Sequence, residues 1–242
     1  MKNIEKLGSK EKYGENIEMT IDLIRHAEKS SFEGGLTKKG IEDSKNFSEK
    51  LETDFPDSAG VKVYHSGVER AKETAELIKG RSAFTERQKE SLTLVGKISK
   101  EQVEKITALV DKQNSDETEA VQILLDTEDN KLDAETVSSK ELSRGIASQL
   151  LTLIDMTSRF KETSKVNIVL VSHSGVIEHF LVDILGKSRA HFLTEVGGPV
   201  AFLEGARIAV KRQDKENVKI QFTFRNYERE LYKEDLEKII SG

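Results

Sequence analysis

Cysteine is absent from the 242-residue chain. That excludes disulfides, thiolate metal sites and thiol catalysis, and leaves the compartment open. Long apolar runs are also missing, so no segment approaches membrane-spanning length. The opening Met1-Lys-Asn-Ile-Glu-Lys-Leu-Gly-Ser-Lys10 carries charge where a signal peptide needs an apolar centre. A cytoplasmic location with no membrane partner is therefore expected. Nor is there a surplus of positive charge: 38 Lys and Arg against 43 Asp and Glu give a formal charge of -5. Such a balance exerts no global pull on nucleic acid, though it leaves room for a local cationic pocket. Hydrophobic residues make up only 36% and charged residues 33%, the mark of a heavily solvated surface on a chain long enough to bury a sizeable core.

What is present is organised around Thr20-Ile-Asp-Leu-Ile-Arg-His-Ala-Glu28. Ile21, Leu23 and Ile24 suit a buried strand, whereas Arg25 and His26 cannot follow them into a core without partners and belong at the strand's end. Two later segments repeat the arrangement. Val61-Lys-Val-Tyr-His65 runs into Ser66 and a helical pattern with Arg70 in its first turn. Val166-Asn-Ile-Val-Leu-Val171 runs into Ser172-His173-Ser174-Gly175 and another helical pattern. In a mostly parallel α/β sheet such strand ends share one edge, where these folds bind ligands. Arg25, His26, Arg70 and His173 are thus expected to meet in one pocket.

Along the chain, residues 1–18 read as a polar lead-in and 19–242 as one α/β domain. Thr37 is a candidate N-cap for a helix with Ile41, Ser44, Phe47, Ser48 and Leu51 on one face. Val68, Ala71, Ala75 and Ile78 mark the next helix, closed by Gly80. From about 81 to 140 the pattern loosens and reads as an insertion able to lie over the strand edge. Within it, 91–95 reads as a short strand, Val103, Ile106 and Val110 as a helix, and Ala120, Val121, Leu124 and Leu125 as another, followed by a wet acidic loop at 126–130. A long helix spans about 140–161. A helix from Val176 ends at Gly186, and 199–203, 206–210 and 218–224 read as strands, the last two as a hairpin on the sheet's edge. Leu236, Ile239 and Ile240 close the chain in a short helix. His65 reads as a strand residue, His179 and His191 as surface residues, Glu178 as solvent-facing, and the Gly34-Gly35 and Gly197-Gly198 pairs as turns. His173 and His179 do not share a helical face and no His-Glu-x-x-His run occurs, so no metal is expected.

A histidine flanked by guanidinium groups suits an anion, most simply a phosphoryl group, because the planar arginine fork matches phosphate oxygens. An unprotonated His26 is a competent nucleophile. A protonated His173, with Ser174 and the amides that open the following helix, can add donors to the transferring group. No cofactor is needed.

Arg25-His26-Ala27-Glu28, Leu36-Thr37-x-x-Gly40, Ser66-x-x-x-Arg70-Ala71-x-x-Thr74-Ala75 and Val171-Ser-His-Ser-Gly175 together resemble the histidine phosphatase, or phosphoglycerate mutase-like, superfamily in order and spacing. The resemblance implies a three-layer α/β sandwich with helices on both faces of a mostly parallel sheet. It also implies a phosphohistidine formed on His26, and a phosphoryl group bound by Arg25, Arg70 and His173. It further implies a carboxylic acid from the segment after the second helix, which position assigns to Glu90, with Glu28 as the competitor. The implied activity is metal-independent hydrolysis of a small phosphorylated substrate, with a phosphoprotein as the other substrate class. Ala27 stands where the family usually has glycine, and the alternatives are phosphoglycerate mutase-type transfer, which Phe32 fits less well near where mutase members carry asparagine, and a non-catalytic phosphate-binding scaffold.

Overall fold

The computed structural model describes residues 12–30, 34–55, 61–78, 88–91, 94, 117–126 and 138–242. The expected helix around Val103–Val110, most of the acidic loop, Phe32 and Gly80 lie outside the described residues. The elements are β1 (Ile17–Arg25), α1 (Lys38–Asp54), β2 (Val61–His65), α2 (Glu69–Ile78), β3 (Gln88–Glu90), α3 (Glu117–Asp126) and α4 (Ser139–Met156). They continue with β4 (Lys165–Ser172), α5 (Val176–Leu185), α6 (Phe192–Val196), β5 (Gly205–Arg212), β6 (Val218–Phe224), β7 (Tyr227–Leu231) and α7 (Lys233–Ser241).

The seven strands form one sheet in the order β3-β2-β4-β1-β5-β6-β7. The expectation of a mostly parallel sheet is corrected: β3, β2, β4 and β1 run parallel, whereas β5, β6 and β7 add antiparallel pairings. The connections explain the difference. A parallel partner needs a crossover of a dozen or more residues, whereas β5–β6 and β6–β7 are joined by turns of a few residues and can only fold back. The expected hairpin is therefore not at the edge, because β7 covers β6. Its outward Glu228, Arg229 and Glu230 hid it from a hydrophobic reading and suit an edge strand, where charge discourages further pairing.

Side-chain alternation along the central strands divides the core between the two faces. Met19, Ile21, Leu23, Ile168 and Leu170 pack with α4 and α5, while Ile24, Val63, Val169 and Val171 pack with Leu51 of α1 and Ala71, Ala75 and Ile78 of α2. Helices thus cover both faces. Local signals set their ends. The Thr37 side chain accepts the Gly40 N–H at 2.9 Å, Ser138 and Glu141 form a reciprocal capping box, and Gly186 closes α5 at φ 63°.

Four other expectations shift. β1 starts at Ile17 rather than Thr20, since Ile17 and Met19 are both buried. The strand expected at 91–95 lies just before it, at Gln88–Glu90. The long helix ends at Met156 and passes into a 3-10 turn, Thr157–Arg159. Residues 199–203 form a loop instead of a strand, the carbonyls of Pro199 and Val200 accepting from the Arg225 and Arg25 guanidiniums rather than from a neighbouring strand.

Gly40 shows how closely α1 approaches the strand end. A Cβ there would lie 2.2 Å from the Glu28 carbonyl oxygen. Alanine normally favours a helix by about 1 kcal/mol over glycine. Gly40→Ala is nonetheless expected to lose about 1–3 kcal/mol through overpacking against a backbone that cannot yield, measured by urea denaturation. A stabilised variant would contradict the close approach.

Candidate active site

Three parallel strands end level with one another. Arg25 pairs with Ser172 across β1 and β4, and His65 pairs with Val171 across β2 and β4. The His26 N–H continues the ladder to the Ser172 carbonyl at 3.0 Å. The residues that follow each strand therefore emerge at one carboxyl edge, and α2 begins beside them. This brings Arg25, His26, Arg70 and His173 together. The two imidazole rings are 5.2 Å apart between centroids, and Arg70 Nε donates to His26 Nε2 at 2.9 Å.

The tautomer of His26 follows from its partners. Nδ1 lies 2.7 Å from the Ala27 carbonyl oxygen. A carbonyl only accepts, so Nδ1 carries the proton and Nε2 offers its lone pair toward the pocket. The neutral state follows from the surroundings. Burial, then His173 and the two arginines, hold the His26 pKa down to about 2, and burial with Arg70, Lys29 and Arg25 holds His173 down to about 3. His173 is thus neutral in the free protein, in contrast to the protonated form considered from sequence. Its Nε2 lies 2.6 Å from Ser66 Oγ, and its buried Nδ1 has no partner among the described residues.

Arg25 is held on several sides. One terminal nitrogen donates to the Val200 carbonyl at 2.9 Å, the other pairs with Glu117 of α3, and the guanidinium stacks on Phe202 with its carbon 4.0 Å from the ring centroid. Its buried Nε has no partner among the described residues. Arg70 is drawn below the ordinary guanidinium value by burial and then by Arg25. Lys29, half-buried beside them, is held down to about 8 by burial, Arg70 and Arg25, against the opposing pull of Glu117. The edge therefore concentrates three cations and two neutral imidazoles, an arrangement that favours an anionic group with oxygen acceptors.

The remaining expected residues stand as follows. The Ser174 hydroxyl donates to Glu178 at 2.8 Å, and the Gly175 N–H does so at 2.6 Å, so neither is turned toward the imidazoles. Glu28 accepts from Thr37 at 3.0 Å and from Lys39 at 3.3 Å, which directs its carboxylate to the start of α1. The Glu90 backbone lies in β3 opposite His65, and its side chain lies outside the described residues. Glu178, expected in solvent, is fully buried. His179 is buried as well, with Nδ1 2.7 Å from Ser139 Oγ, because α5 is covered by the sheet on one side and by α4 on the other.

Sequence reasoning gave no role to Lys29, Ser66, Thr74, Glu117 or Phe202. Ser66 and Thr74 were visible in their motif. The Thr74 hydroxyl accepts the Ala27 N–H at 3.0 Å and ties α2 to the end of β1. Glu117 and Phe202 are brought in by tertiary structure alone, 92 and 177 positions beyond Arg25 in the chain.

A family model of the histidine phosphatase superfamily (branch 1) matches residues 21–201. Among solved structures, a mycobacterial glucosyl-3-phosphoglycerate phosphatase superposes with a TM-score of 0.54 at 13% identity, over 86% of this chain and 99% of that one. Bacillus stearothermophilus YhfR gives 0.53 at 15% identity, over 87% and 94%. A phosphoserine phosphatase variant from Entamoeba histolytica, in complex with phosphoserine, gives 0.51 at 15%, over 88% and 95%. At these identities the likeness speaks for the fold. No curated protein matches the chain in sequence. The family match spans the first-motif histidine, the α2 arginine and the second histidine that the sheet edge gathers, and the chain belongs to the histidine phosphatase superfamily.

Proposed function

We propose that this protein is a metal-independent phosphatase that hydrolyses a small phosphomonoester through a phosphohistidine on His26. One observation carries the reading. A neutral imidazole directs its Nε2 lone pair into a pocket lined by Arg25 and Arg70, which is what nucleophilic attack on a phosphoryl group requires. In the free protein Arg70 Nε occupies that lone pair, and a phosphoryl oxygen draws the guanidinium away so that the nitrogen can attack. The N–P bond forms as the bond to the leaving oxygen breaks. Water then attacks phosphorus, the N–P bond breaks, and orthophosphate leaves with His26 neutral again. Helix α3 supports a restricted pocket and hence a small substrate, since Glu117 reaches Arg25 while Leu124 lies over Gly175. Known activities of two of the similar structures, on glucosyl-3-phosphoglycerate and on phosphoserine, lie in the same substrate class.

The leaving oxygen needs a proton and the attacking water must lose one. Glu90 and Glu28 were the candidates by position. Among the described residues, Glu117 is the carboxylate that reaches a pocket guanidinium, and we assign the exchange to it: displaced from Arg25 by the phosphoryl group, it stands beside the ester. A second reading, a phosphate-binding protein without turnover, is favoured by that same ion pair, which places a carboxylate on Arg25 where a substrate oxygen would bind.

Incubation with a labelled phosphoester is expected to leave acid-labile label on the wild type and none on His26→Ala, whose turnover falls by roughly 10³-fold or more. Activity should persist in chelator. Tight binding without turnover across sugar phosphates, nucleotides, phosphoglycerates and a phosphoprotein would favour the second reading.

Glu117→Gln is expected to lower kcat/KM for alkyl phosphates about 10²-fold, the usual scale of proton transfer by a side chain, yet leave kcat/KM for p-nitrophenyl phosphate nearly unaffected, because that ratio reports formation of the phosphohistidine and this leaving group needs no proton. If Glu90→Gln or Glu28→Gln shows that contrast and Glu117→Gln does not, the assignment passes to that residue.

The histidines also make stability depend on pH. His26, His173 and His179 have folded-state pKa values of about 2, 3 and 3, below their ordinary 6.5. Below pH 6.5 the unfolded chain binds protons that the folded one does not, so stability present above that pH is lost as pH falls toward those values. Glu178, raised by burial, opposes this over its own range. Urea midpoints should be lower at pH 5 than at pH 7, and ring nitrogen shifts should report His26 neutral at both. An imidazolium at His26 at pH 7 would remove its nucleophilic role.

A further inference from the structure

Glu178 lies one turn into α5, fully buried, yet it touches neither imidazole nor arginine of the pocket. Its Oε1 accepts from Ser174 Oγ at 2.8 Å and from the Val200 N–H at 2.9 Å, and its Oε2 accepts from the Gly175 N–H at 2.6 Å. Both oxygens face donors, so the ionised form is the one that fits. Burial still pushes its pKa up, and the site holds a desolvated carboxylate that the fold would not bury without use.

Val200 shows the use. Its N–H is fixed by Glu178 while its carbonyl accepts from Arg25 at 2.9 Å. Two residues on, Phe202 lies under the Arg25 guanidinium and 5.8 Å from the His26 ring. The Leu203 N–H donates to the Arg25 carbonyl at 3.1 Å, and the Arg25 N–H donates to that of Glu204 at 2.9 Å. The other side of this loop is gripped by Arg225. Its guanidinium bonds the carbonyls of Val196, Gly198 and Pro199 and both carboxylate oxygens of Glu204.

We infer that Glu178 and Arg225 are positioning residues: they clamp the 196–204 loop from two sides so that Val200 and Phe202 hold the Arg25 guanidinium in place for the phosphoryl oxygens. The inference rests on the phosphoryl-site reading and adds to it a pair of residues remote from the reacting atoms.

Glu178→Gln retains shape but turns an amide NH₂ toward a backbone donor. Arg225→Gln loosens the loop from the β6–β7 turn on its other side. In variants that still melt cooperatively, orthophosphate affinity and kcat/KM are each expected to fall about tenfold, the scale of one hydrogen bond to a charged group. In an Arg25→Lys background the same substitutions should add less than about twofold, since both act through Arg25. Unchanged orthophosphate affinity, or a full tenfold further loss in that background, would overturn the clamp. If Glu178→Gln does not fold, Arg225→Gln decides. Should the wild type neither bind orthophosphate nor hydrolyse esters, the phosphatase reading falls. The clamp is then judged on the Arg25 guanidinium NMR signal: faster rotation in the variants supports it, and an unaltered signal overturns it.

Discussion

Burial of ionisable groups beside Arg25, Arg70 and Lys29, gathered at one strand edge, is the constraint from which the chemistry of this fold follows. Loss of water penalises any further positive charge there, and the neighbouring cations add to the effect. Both imidazoles are consequently neutral, which gives His26 a lone pair. The buried Arg25 Nε keeps donor capacity unmatched among the described residues, which suits an anionic acceptor.

The two halves of the sheet divide the work of holding such a cluster. Parallel strands deliver the charged residues, because β1, β2 and β4 end level and each opens into a loop or a helix N-terminus. The antiparallel half supplies restraint. β5 starts at Gly205 against β1, where a Cβ would lie 1.8 Å from the Leu23 carbonyl oxygen, so the chain enters β5 tight against the strand that ends in Arg25. The loop before it is thereby pressed onto the site, with Phe202 and Val200 as its contacts.

Legibility of the sequence follows the range of each interaction. Strand ends, the Thr37 cap and the Gly186 stop are local, and they were readable from neighbouring residues. Arg25, His26, Arg70 and His173 could be gathered from the repeated strand-then-helix grammar, since parallel topology turns sequence position into spatial position. Beyond that the signal stops. Glu178 reads as an exposed charge because nothing local shows that the N-terminal half of its helix is buried all round or that three donors meet its carboxylate. The 199–203 segment has the apolar content of a strand, but Arg225 captures its neighbouring carbonyls from 26 or more positions away. Glu117 reaches Arg25 from within a stretch whose pattern is too loose to place.

In the free protein each reactive group is already bonded to something an anion can replace. Arg25 holds Glu117, Arg70 holds His26, and Ser66 holds His173. Binding a phosphoryl group is therefore an exchange of hydrogen bonds rather than a simple gain, and its net free energy is the small difference that such exchanges leave. That difference is selective. On the phosphohistidine reading proposed above, an anion with a single acceptor can replace one of these contacts, whereas a phosphoryl group carries oxygens for both guanidiniums. On that reading, release of the His26 lone pair is coupled to arrival of the group it would attack, and the nucleophile stays covered until its substrate is seated.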